Sequence, residues 1–463
     1  MKCTHLLSKL FFLSGIILFS TSLFAQDYKI PETGQVSCYD EDGNTIDSPL
    51  PGDSLYGQDA QYTRFEISLT DNGDGTVTDH VTGLTWQQVP SSNTFTWQEA
   101  IDHCDDLVFA GYDDWRTPSA KELFSISNFN SGWPYLNTDF FTLASGIITK
   151  DEQYWTSNHY VGVTVEGGSD AAFGVNHVTG HIKAYPANAT GPIGGKYVRA
   201  VRGETFGEND FVDNGDATIT DNSTALMWMQ NDSGEGINWK VALAYAETSE
   251  FAGYDDWRLP NVKELQSIVD YSYSPSATNP DEVGPAIDPI FNCTPIINEA
   301  GDDDYAYYWT STSALFQANM PYYYAWYVAF GMAVNGEGED FHGAGGVRFD
   351  TKYEGGPLGE GGERYYNYVR LVRNTTETGV YESSLNNSSL NMYPNPATDQ
   401  LTLSDEYNIV SVSIYSISGQ LIIEASPNSN RYTVDVSDLK NGFYIVKATN
   451  EKGIVNSKSV FKE

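Results

Sequence analysis

Apolar residues in positions 97–104 recur with the spacing of one face of an α-helix. That face consists of Trp97, Ala100, Ile101 and Cys104. Thr96 in front of it and Glu99 three positions later form a capping box, which marks the start of the helix. A second helix is predicted after Pro118, where Ser119 takes the N-cap position and Glu122 again follows at the third place.

Short strands are predicted on both sides of these helices. Residues 76–78 and 83–86 have the alternation of a hairpin, with Asp, Asn and Gly as turn residues beside it. The chain after the helices is rich in Tyr, Trp, Val, Gly and Asn, which is typical of short strands and long loops. The pattern therefore indicates an α+β fold.

The same pattern occurs twice along the chain. Residues 71–123 repeat at 213–265 with a constant offset of 142. Within this stretch Phe109–Arg116 is identical to Phe251–Arg258, and two later blocks also match, namely Tyr154–Ser157 with Tyr308–Ser311 and Tyr197–Arg202 with Tyr368–Arg373. The offset grows only after residue 265, so the second copy carries its insertions in its later half. A period this long indicates two tandem globular domains, repeat 1 over 71–203 and repeat 2 over 204–374.

Four further segments flank the repeats. Residues 1–25 have a basic start, an apolar run of about ten residues and the small Ala25 at the end, which predicts a cleaved signal peptide. Residues 26–70 form a lead-in, and the polar residues 375–389 form a linker. Residues 390–463 hold short strand-like runs separated by turns, which predicts a small β-sandwich. No later segment is long and apolar enough to cross a membrane once the signal peptide is removed.

The chain is strongly acidic, with 62 Asp and Glu against 25 Lys and Arg and a net charge of −37. Such an excess argues against nucleic acid, whose phosphates require Lys and Arg, and against anionic membrane surfaces. Repeat 1 carries 15 acids and 7 bases, and repeat 2 carries 28 acids and 8 bases, so their net charges are −8 and −20. Repeat 2 is therefore the more divergent copy.

Three motifs in the last segment resemble, in sequence and in order, those of the C-terminal sorting domain of the type IX (Por) secretion system. They are Met392–Ala397, Val412–Gly419 and Val436–Val446, and the ending Lys458–Lys462 also fits. The resemblance implies an Ig-like sandwich that the outer-membrane secretion machinery recognises and that a sorting protease commonly removes. It implies a product that is secreted or held at the cell surface. The motif residues are Tyr393, Pro394, Asn395, Pro396, Gly419, Leu439, Gly442, Tyr444 and Lys458.

Each repeat resembles the Lcl C-terminal domain family, named for the end domain of a bacterial collagen-like adhesin. The shared features are the Asp-Asn-Gly-Asp turns at 71–74 and 213–216, the Asp-Asp-Trp-Arg-x-Pro-x-x-Lys-Glu-Leu blocks at 113–123 and 255–265, and the closing Val-Arg-x-Val-Arg. With its lead-in, the resemblance covers residues 31–374. It implies two tandem C-type-lectin-like domains, and the namesake's ligands are sulfated glycosaminoglycans. The acidic surface would repel such polyanions, so a neutral glycan or a protein is the expected ligand here.

Acidic residues beside the predicted hairpins are candidates for calcium. They are Asp71, Asp74 and Asp79 in repeat 1 and Asp213, Asp216 and Asp221 in repeat 2. Calcium takes six to eight oxygen ligands, and an alignment to an EF-hand loop places Thr70 first and Val81 twelfth, neither of which suits the ion. A hairpin turn is therefore the favoured reading, with calcium as the alternative cofactor.

Repeat 2 also has a cluster of acids and tyrosines in its inserted region. Sugars stack on flat aromatic faces, and neighbouring carboxylates accept hydrogen bonds from their hydroxyl groups. A ligand-binding loop is therefore a candidate here, against the alternative that the aromatic side chains are core. The candidate residues are Asp302, Asp303, Asp304, Tyr305, Tyr322, Tyr323 and Tyr324.

Other polar residues point to structure more than to catalysis. Arg116 and Arg258 are expected to clamp a carboxylate or backbone carbonyls below the aromatic core. Cys38, Cys104 and Cys293 remain after signal removal, and three thiols allow at most one internal disulfide. His177 and His181 are four positions apart, but Gly180 between them argues against a helical metal pair. GxSxG, HExxH and phosphate-loop motifs do not occur.

The sequence predicts a secreted or cell-surface protein without enzymatic activity that binds an extracellular glycan or protein. Its predicted partners are the type IX machinery, the sorting protease and that ligand, and nucleic acid is not among them. Two alternatives remain open: a secreted hydrolase that acts on polysaccharide through dispersed carboxylates, and a structural component of the envelope.

Overall fold

The computed structural model describes residues 28–190, 194–359, 364–375, 390–416, 421–451 and 455–462. The predicted signal peptide, nearly all of the predicted linker and Gly419 lie outside these residues. The chain divides into two compact units at Thr375, the first holding the lead-in and both repeats and the second the C-terminal domain. Within the described ranges, none of the helices has the length and apolarity needed to cross a membrane.

The lead-in and repeat 1 consist of short strands and two helices. The strands are β1 (Cys38–Tyr39), β2 (Thr45–Ile46), β3 (Leu69–Asp71), β4 (Thr76–Asp79), β5 (Thr85–Gln87), β6 (Gln153–Tyr160), β7 (Ala171–Asn176), β8 (Ile182–Pro186) and β9 (Val201–Arg202). The helices are α1 (Trp97–Asp105) and α2 (Ala120–Ser125), and Asp59–Gln61 forms a 3₁₀ turn. Strands β4 and β5 pair antiparallel with Val77 opposite Trp86, so the predicted hairpin is confirmed.

Repeat 2 has the same order of elements. Its strands are β10 (Phe211–Asp213), β11 (Thr218–Asp221), β12 (Leu226–Met229), β13 (Pro295–Ile297), β14 (Asp303–Tyr305), β15 (Tyr307–Ala314), β16 (Tyr324–Ala329), β17 (Val347–Thr351) and β18 (Val372–Asn374). Its helices are α3 (Trp239–Glu247) and α4 (Val262–Ser267), with 3₁₀ turns at Phe251–Gly253 and Pro280–Glu282. The pair β13–β14 lies in the inserted region.

The predicted caps of the helices are present. Thr96 accepts a hydrogen bond from the N–H of Glu99, whose carboxylate bonds back to Thr96, so α1 has its capping box. Ser119 and Glu122 form the same arrangement at α2, and α4 repeats it with Asn261 and Glu264. These reciprocal bonds satisfy backbone N–H groups that a helix start leaves unpaired, which stabilises helices this short.

The two repeats share one sheet and fold as one body. A six-stranded sheet runs in the order β15-β16-β17-β8-β7-β6, and β17 meets β8 where Val347 pairs with Ile182. The repeats are tandem as predicted, but they are one compact unit instead of two separate globular domains. Joining β8 to β17 removes two exposed strand edges, which is the physical advantage of the arrangement.

The hydrophobic core is continuous across the joint. One cluster of buried side chains draws members from both repeats. At its centre Trp326 of repeat 2 packs edge-on against Phe129 and Tyr135 of repeat 1, with ring centroids 5.3 and 5.2 Å apart. Such aromatic pairs add to the burial of the rings themselves, so each repeat supplies part of the core of the other.

The C-terminal unit is a β domain built on one long strand. Its strands are β19 (Asn391–Tyr393), β20 (Gln400–Ser416), β21 (Leu421–Ala425), β22 (Ser429–Asp435), β23 (Gly442–Asn450) and β24 (Val455–Lys462). Strand β20 is continuous over 17 residues, with a register shift in its pairing to β22 between Ser404 and Ile409. The first half of β20 pairs with β19 and β22, and the second half with β21 and β23.

Candidate functional site

The acids beside the hairpins bond to their own turns. Asp71 accepts a hydrogen bond from the N–H of Gly73 at 2.8 Å, and Asp74 accepts from the N–H and the hydroxyl of Thr76. Asp79 is buried, which raises the pKa of its carboxyl, and it accepts from Val81 and Thr82. These carboxylates are therefore occupied by the turn that the sequence favours.

The equivalent acids of repeat 2 are held in the same way. Asp213 accepts from the N–H of Gly215, and Asp216 accepts from the N–H and the hydroxyl of Thr218. Asp221 is buried and accepts from Asp210, Ser223 and Thr224, among others. Over the part of the chain that the structure describes, no three His, Cys, Asp or Glu side chains gather as a metal site would require. The calcium alternative gains no support from these turns.

The repeated arginines are structural clamps, as predicted. Nη1 and Nη2 of Arg116 each donate to a carboxylate oxygen of Glu122 at 2.6 Å, and Arg258 binds Glu264 at the same distances. Each of these glutamates also completes the cap of its helix. The clamp therefore fixes the start of α2 or α4 against the loop that precedes it.

The closing arginines fall into two classes. Arg199 and Arg370 are fully buried, and each donates to three backbone carbonyls of its own repeat. Arg202 and Arg373 instead form bidentate pairs with the exposed carboxylates of Asp114 and Asp256. The repeated Asp-Asp-Trp-Arg motif therefore serves to fasten the last strand of each repeat.

The acids and tyrosines of the inserted region do not come together. Asp304 lies at one end of the β15–β16 hairpin, where its carboxylate accepts from the N–H of Met332. Tyr324 lies at the other end, opposite Ala314. The eight residues of β15 separate the two ends by about 20 Å at the usual rise per strand residue. Asp302–Asp304 and Tyr322–Tyr324 therefore lie at opposite ends of the hairpin and do not form one joint surface, and ligand binding by either group stays a prediction.

Most of these side chains are also engaged in packing. Tyr324 is buried among core aromatics, and burial raises the pKa of Asp304 to about 6. Tyr322 stacks on Tyr39 of the lead-in with ring centroids 3.9 Å apart. Asp302 and Asp303 are exposed, and Tyr305 and Tyr323 are half-buried. The packing alternative thus describes Tyr322 and Tyr324 better than the ligand alternative does.

The cysteines and the paired histidines offer no reactive centre. Cys38, Cys104 and Cys293 are all free thiols. Burial raises the pKa of Cys104 to about 11 and also raises the pKa values of the other two, so all three disfavour the thiolate. His177 and His181 are buried near the turn between β7 and β8.

The repeat unit also contains an open cleft of about 670 Å³ that no sequence motif indicates. It lies between α2, the outer strand β6, the segment that joins the repeats and the chain that follows α4. Its polar and acidic lining includes Asp105, Ser119, Asn158, Thr205, Asp270 and Asp288. These residues are distant in sequence and share no motif, which explains why no local pattern indicated the site.

A half-buried lysine lines this cleft. Lys121 donates from Nζ to the carbonyl of Gly207 at 2.9 Å and to Oδ1 of Asn209 at 2.8 Å. Burial lowers its pKa to about 8, against the opposing field of nearby acids that include Glu208 and Asp270. Because both acceptors belong to the joining segment, the lysine fixes that segment as one wall of the cleft.

The cleft is acidic. Arg116 is already paired with Glu122 in its wall, so it supplies little free positive charge. Asp105, Glu208, Asp270 and Asp288 line the cleft, and none of them takes part in an ion pair among the described residues. An arrangement of fixed carboxylates, hydroxyls and amides suits a neutral or positively charged polar ligand.

Comparison with family models assigns both parts of the chain. The Lcl C-terminal domain model matches residues 75–202 and 217–373, and the secretion system C-terminal sorting domain model matches residues 391–462. Both resemblances noted in the sequence are therefore confirmed. No curated protein matches the chain.

Two solved structures resemble the chain weakly. A CopC from Methylosinus trichosporium OB3b is 16% identical over 16% of this chain and 90% of its own, with a TM-score of 0.13. PorZ, a bacterial surface component of the type IX secretion system of Porphyromonas gingivalis, is 13% identical over 68% of this chain and 44% of its own, with a TM-score of 0.16. At these scores neither likeness supports an argument about fold or function.

Proposed function

The chain belongs to the Lcl C-terminal domain family, and from that premise we propose that it is a non-enzymatic binding protein for an extracellular glycan or protein. The C-type-lectin-like character of the repeats and the Ig-like character of the C-terminal domain are part of the same proposal. The observation that carries it is the open cleft of the repeat unit, which has a fixed polar lining and faces solvent.

Its place of action follows from the C-terminal domain. The sorting domain indicates export by the type IX system to the cell surface or beyond, which implies contact with the secretion machinery.

The motif residues of the sorting domain are held by its own fold. Lys458 donates to the carbonyl of Leu390 at 2.7 Å, and Tyr444 donates to the carbonyl of Lys440. Gly442 begins β23, Leu439 packs against the core and Tyr393 is exposed at the end of β19. Pro394, Asn395 and Pro396 follow Tyr393 directly. Removal of the domain by a sorting protease is part of the proposal.

The charge of the surface supports a restricted class of ligands. Both repeats are net acidic, and the cleft adds four carboxylates that form no ion pair within the described part of the chain. A sulfated glycosaminoglycan would have to overcome this repulsion, whereas a neutral glycan or a protein would not. The ligand expected for this chain therefore differs from that of the family's namesake.

The test is retention of the mature protein on immobilised ligands, with analysis of the solution for cleavage products. A panel of neutral polysaccharides and extracellular matrix proteins serves as the set of supports. Thr205 is an exposed residue that lines the cleft, so Thr205→Trp obstructs it, and Glu204→Trp places the same bulk on the neighbouring exposed residue. We expect retention that Thr205→Trp abolishes and Glu204→Trp does not.

Two results would contradict the proposal. Release of oligosaccharides or peptides during incubation would indicate a hydrolase, in which the carboxylates of the cleft act as acid and base. Absence of retention on every support would indicate a structural component of the envelope. Retention that both tryptophan variants leave intact would keep a binding role but place the ligand outside the cleft.

A further inference from the structure

The repeat relates the open cleft to a second groove, in repeat 2, which the chain fills with its own lead-in. We call this second site the filled groove and define it by Lys263, Thr312 and Arg258. The offset of 142 makes Lys263 the counterpart of Lys121 and Arg258 that of Arg116, and the offset of 154 makes Thr312 the counterpart of Asn158. All three counterparts line the open cleft.

Side chains of the filled groove hold the lead-in by hydrogen bonds. Thr312 donates from its hydroxyl to Oδ2 of Asp59 at 2.6 Å. Lys263 donates to the carbonyl of Glu32 at 2.8 Å, as Lys121 does to Gly207 in the other repeat. The lead-in thus meets the groove partly through its main chain, which is a mode of recognition that tolerates many sequences.

The outer edge of β15 and the chain after α2 complete the filled groove. The amide of Gln35 donates to the carbonyl of Ser313 and accepts from its N–H, both at 2.9 Å. Phe129 donates its N–H to the carbonyl of Thr33 at 2.7 Å. The groove therefore holds an extended segment between an edge strand of one repeat and a loop of the other.

The open cleft has the same components, but the joining segment contacts it at Lys121, through Gly207 and Asn209, and leaves Asn158 and Tyr271 lining an open space. Asn158 lies on β6, the other edge strand of the sheet, and Tyr271 is the counterpart of Phe129. The correspondence extends to the backbone. The N–H of Asn128 donates to the carbonyl of Tyr135, and the N–H of its counterpart Asp270 donates to the carbonyl of Ala286. The N–H of Tyr271 makes no hydrogen bond within the described residues, although its counterpart in Phe129 bonds to the lead-in.

We propose that the open cleft docks an extended basic segment of another protein, which lies along Asn158 and Tyr271 as the lead-in lies in the filled groove. This inference rests on the proposed binding function and names its ligand class. The basic character follows from Asp105, Glu208 and Asp270, which line the cleft, form no ion pair among the described residues and outnumber the cationic Lys121 beside them. The lead-in of a second copy fits less well, because residues 26–70 carry nine acids and two bases.

The probe is a fluorescein-labelled peptide of twelve alternating Lys and Gln residues, whose binding to the mature protein is followed by fluorescence anisotropy. The matched peptide of alternating Glu and Gln reports on charge. Asp105→Lys reverses one charge of the cleft, and Glu247→Lys makes the same change at the counterpart residue beside the filled groove. Circular dichroism spectra and melting curves establish that the variants fold.

We expect the Lys/Gln peptide to bind and the Glu/Gln peptide not to bind. Asp105→Lys and Thr205→Trp should each weaken binding about tenfold or more, while Glu247→Lys and Glu204→Trp leave it within a factor of about two. Equal binding of the two peptides, or binding that Thr205→Trp does not weaken, would overturn the inference.

The outcomes separate this inference from the proposed function. If neither peptide binds but the protein is retained on a polysaccharide and Thr205→Trp abolishes that retention, the cleft takes a glycan and the peptide inference fails alone. If the protein is retained on no support and binds neither peptide, both fail.

Discussion

The lead-in is predicted to contribute to stability in a way that depends on pH through one buried carboxyl. Asp59 is 3% exposed and accepts hydrogen bonds from the hydroxyls of Thr33 and Thr312. Burial raises its pKa from 3.8 to about 7, with smaller contributions from the charges of Glu32 and Glu264. The perturbation is Asp59→Asn, which keeps an oxygen acceptor for both threonines and removes the ionisation.

The direction and size of the effect follow from proton linkage. Well below pH 3.8 the carboxyl is protonated in both the folded and the unfolded chain, and it has no effect on the pH dependence. Between pH 4 and about 7 only the unfolded chain ionises, so the free energy of unfolding of the wild type falls as pH rises. At about 1.4 kcal/mol per pH unit, the difference between 3.8 and about 7 corresponds to a loss of about 4 kcal/mol.

The assay is denaturant unfolding followed by tryptophan fluorescence from pH 4 to pH 8.5. The chain has ten tryptophans, all of them before residue 376, so the signal reports on the repeat unit alone. The difference in unfolding free energy between Asp59→Asn and the wild type should shift by about 4 kcal/mol in favour of the variant over this range. Asp47→Asn, an exposed change in the same lead-in, should leave the profile of the wild type unaltered. Parallel profiles for Asp59→Asn and the wild type would refute the reasoning.

Three further predictions concern the clamp, the thiols and export. Arg258→Met leaves the buried carboxylate of Glu264 without its partner and should lower the unfolding free energy by about 3–5 kcal/mol. Arg116→Met, at a more exposed arginine, should lower the unfolding free energy less. Equal losses for the two variants in denaturant unfolding would contradict this prediction. Cys104, buried and with a raised pKa, should react with a thiol reagent such as DTNB only after unfolding, and rapid labelling of the native protein would show the packing to be wrong. Deletion of 390–463 should retain the protein in the periplasm, and surface display of the truncated chain, detected by whole-cell immunoblotting after protease treatment, would refute the assignment of the sorting domain.

Local structure was the part that the sequence predicted well. The caps formed by Thr96 with Glu99 and by Ser119 with Glu122 depend only on residues three positions apart, so they can be predicted from the sequence without knowledge of the fold. The hairpin turns are equally local. The sequence predicted that Arg116 binds a carboxylate or backbone carbonyls, because a guanidinium below the core requires several acceptors. It did not identify Glu122 as the partner.

The shared sheet of the two repeats and the open cleft both depend on contacts between residues that are distant in sequence, which no local pattern encodes. Pairing of Val347 with Ile182 joins residues from different repeats and turns two predicted domains into one body. Nearness in sequence suggested that Asp304 and Tyr324 share a loop, but an eight-residue strand lies between them and carries them to opposite ends of a hairpin. The open cleft arises because the lead-in fills only one of two equivalent grooves, and that asymmetry exists only in the folded chain.

Hydrogen–deuterium exchange of the mature protein, with and without the Lys/Gln peptide, tests most directly whether the open cleft is the docking site. Bound peptide should slow exchange in segments that contain Asn158 and Tyr271, and leave the counterpart segments at Thr312 and Phe129 unchanged because the lead-in already covers them. Protection confined to residues 302–305, to residues 322–324 or to the C-terminal domain, with unchanged exchange at Asn158 and Tyr271, would contradict the assignment.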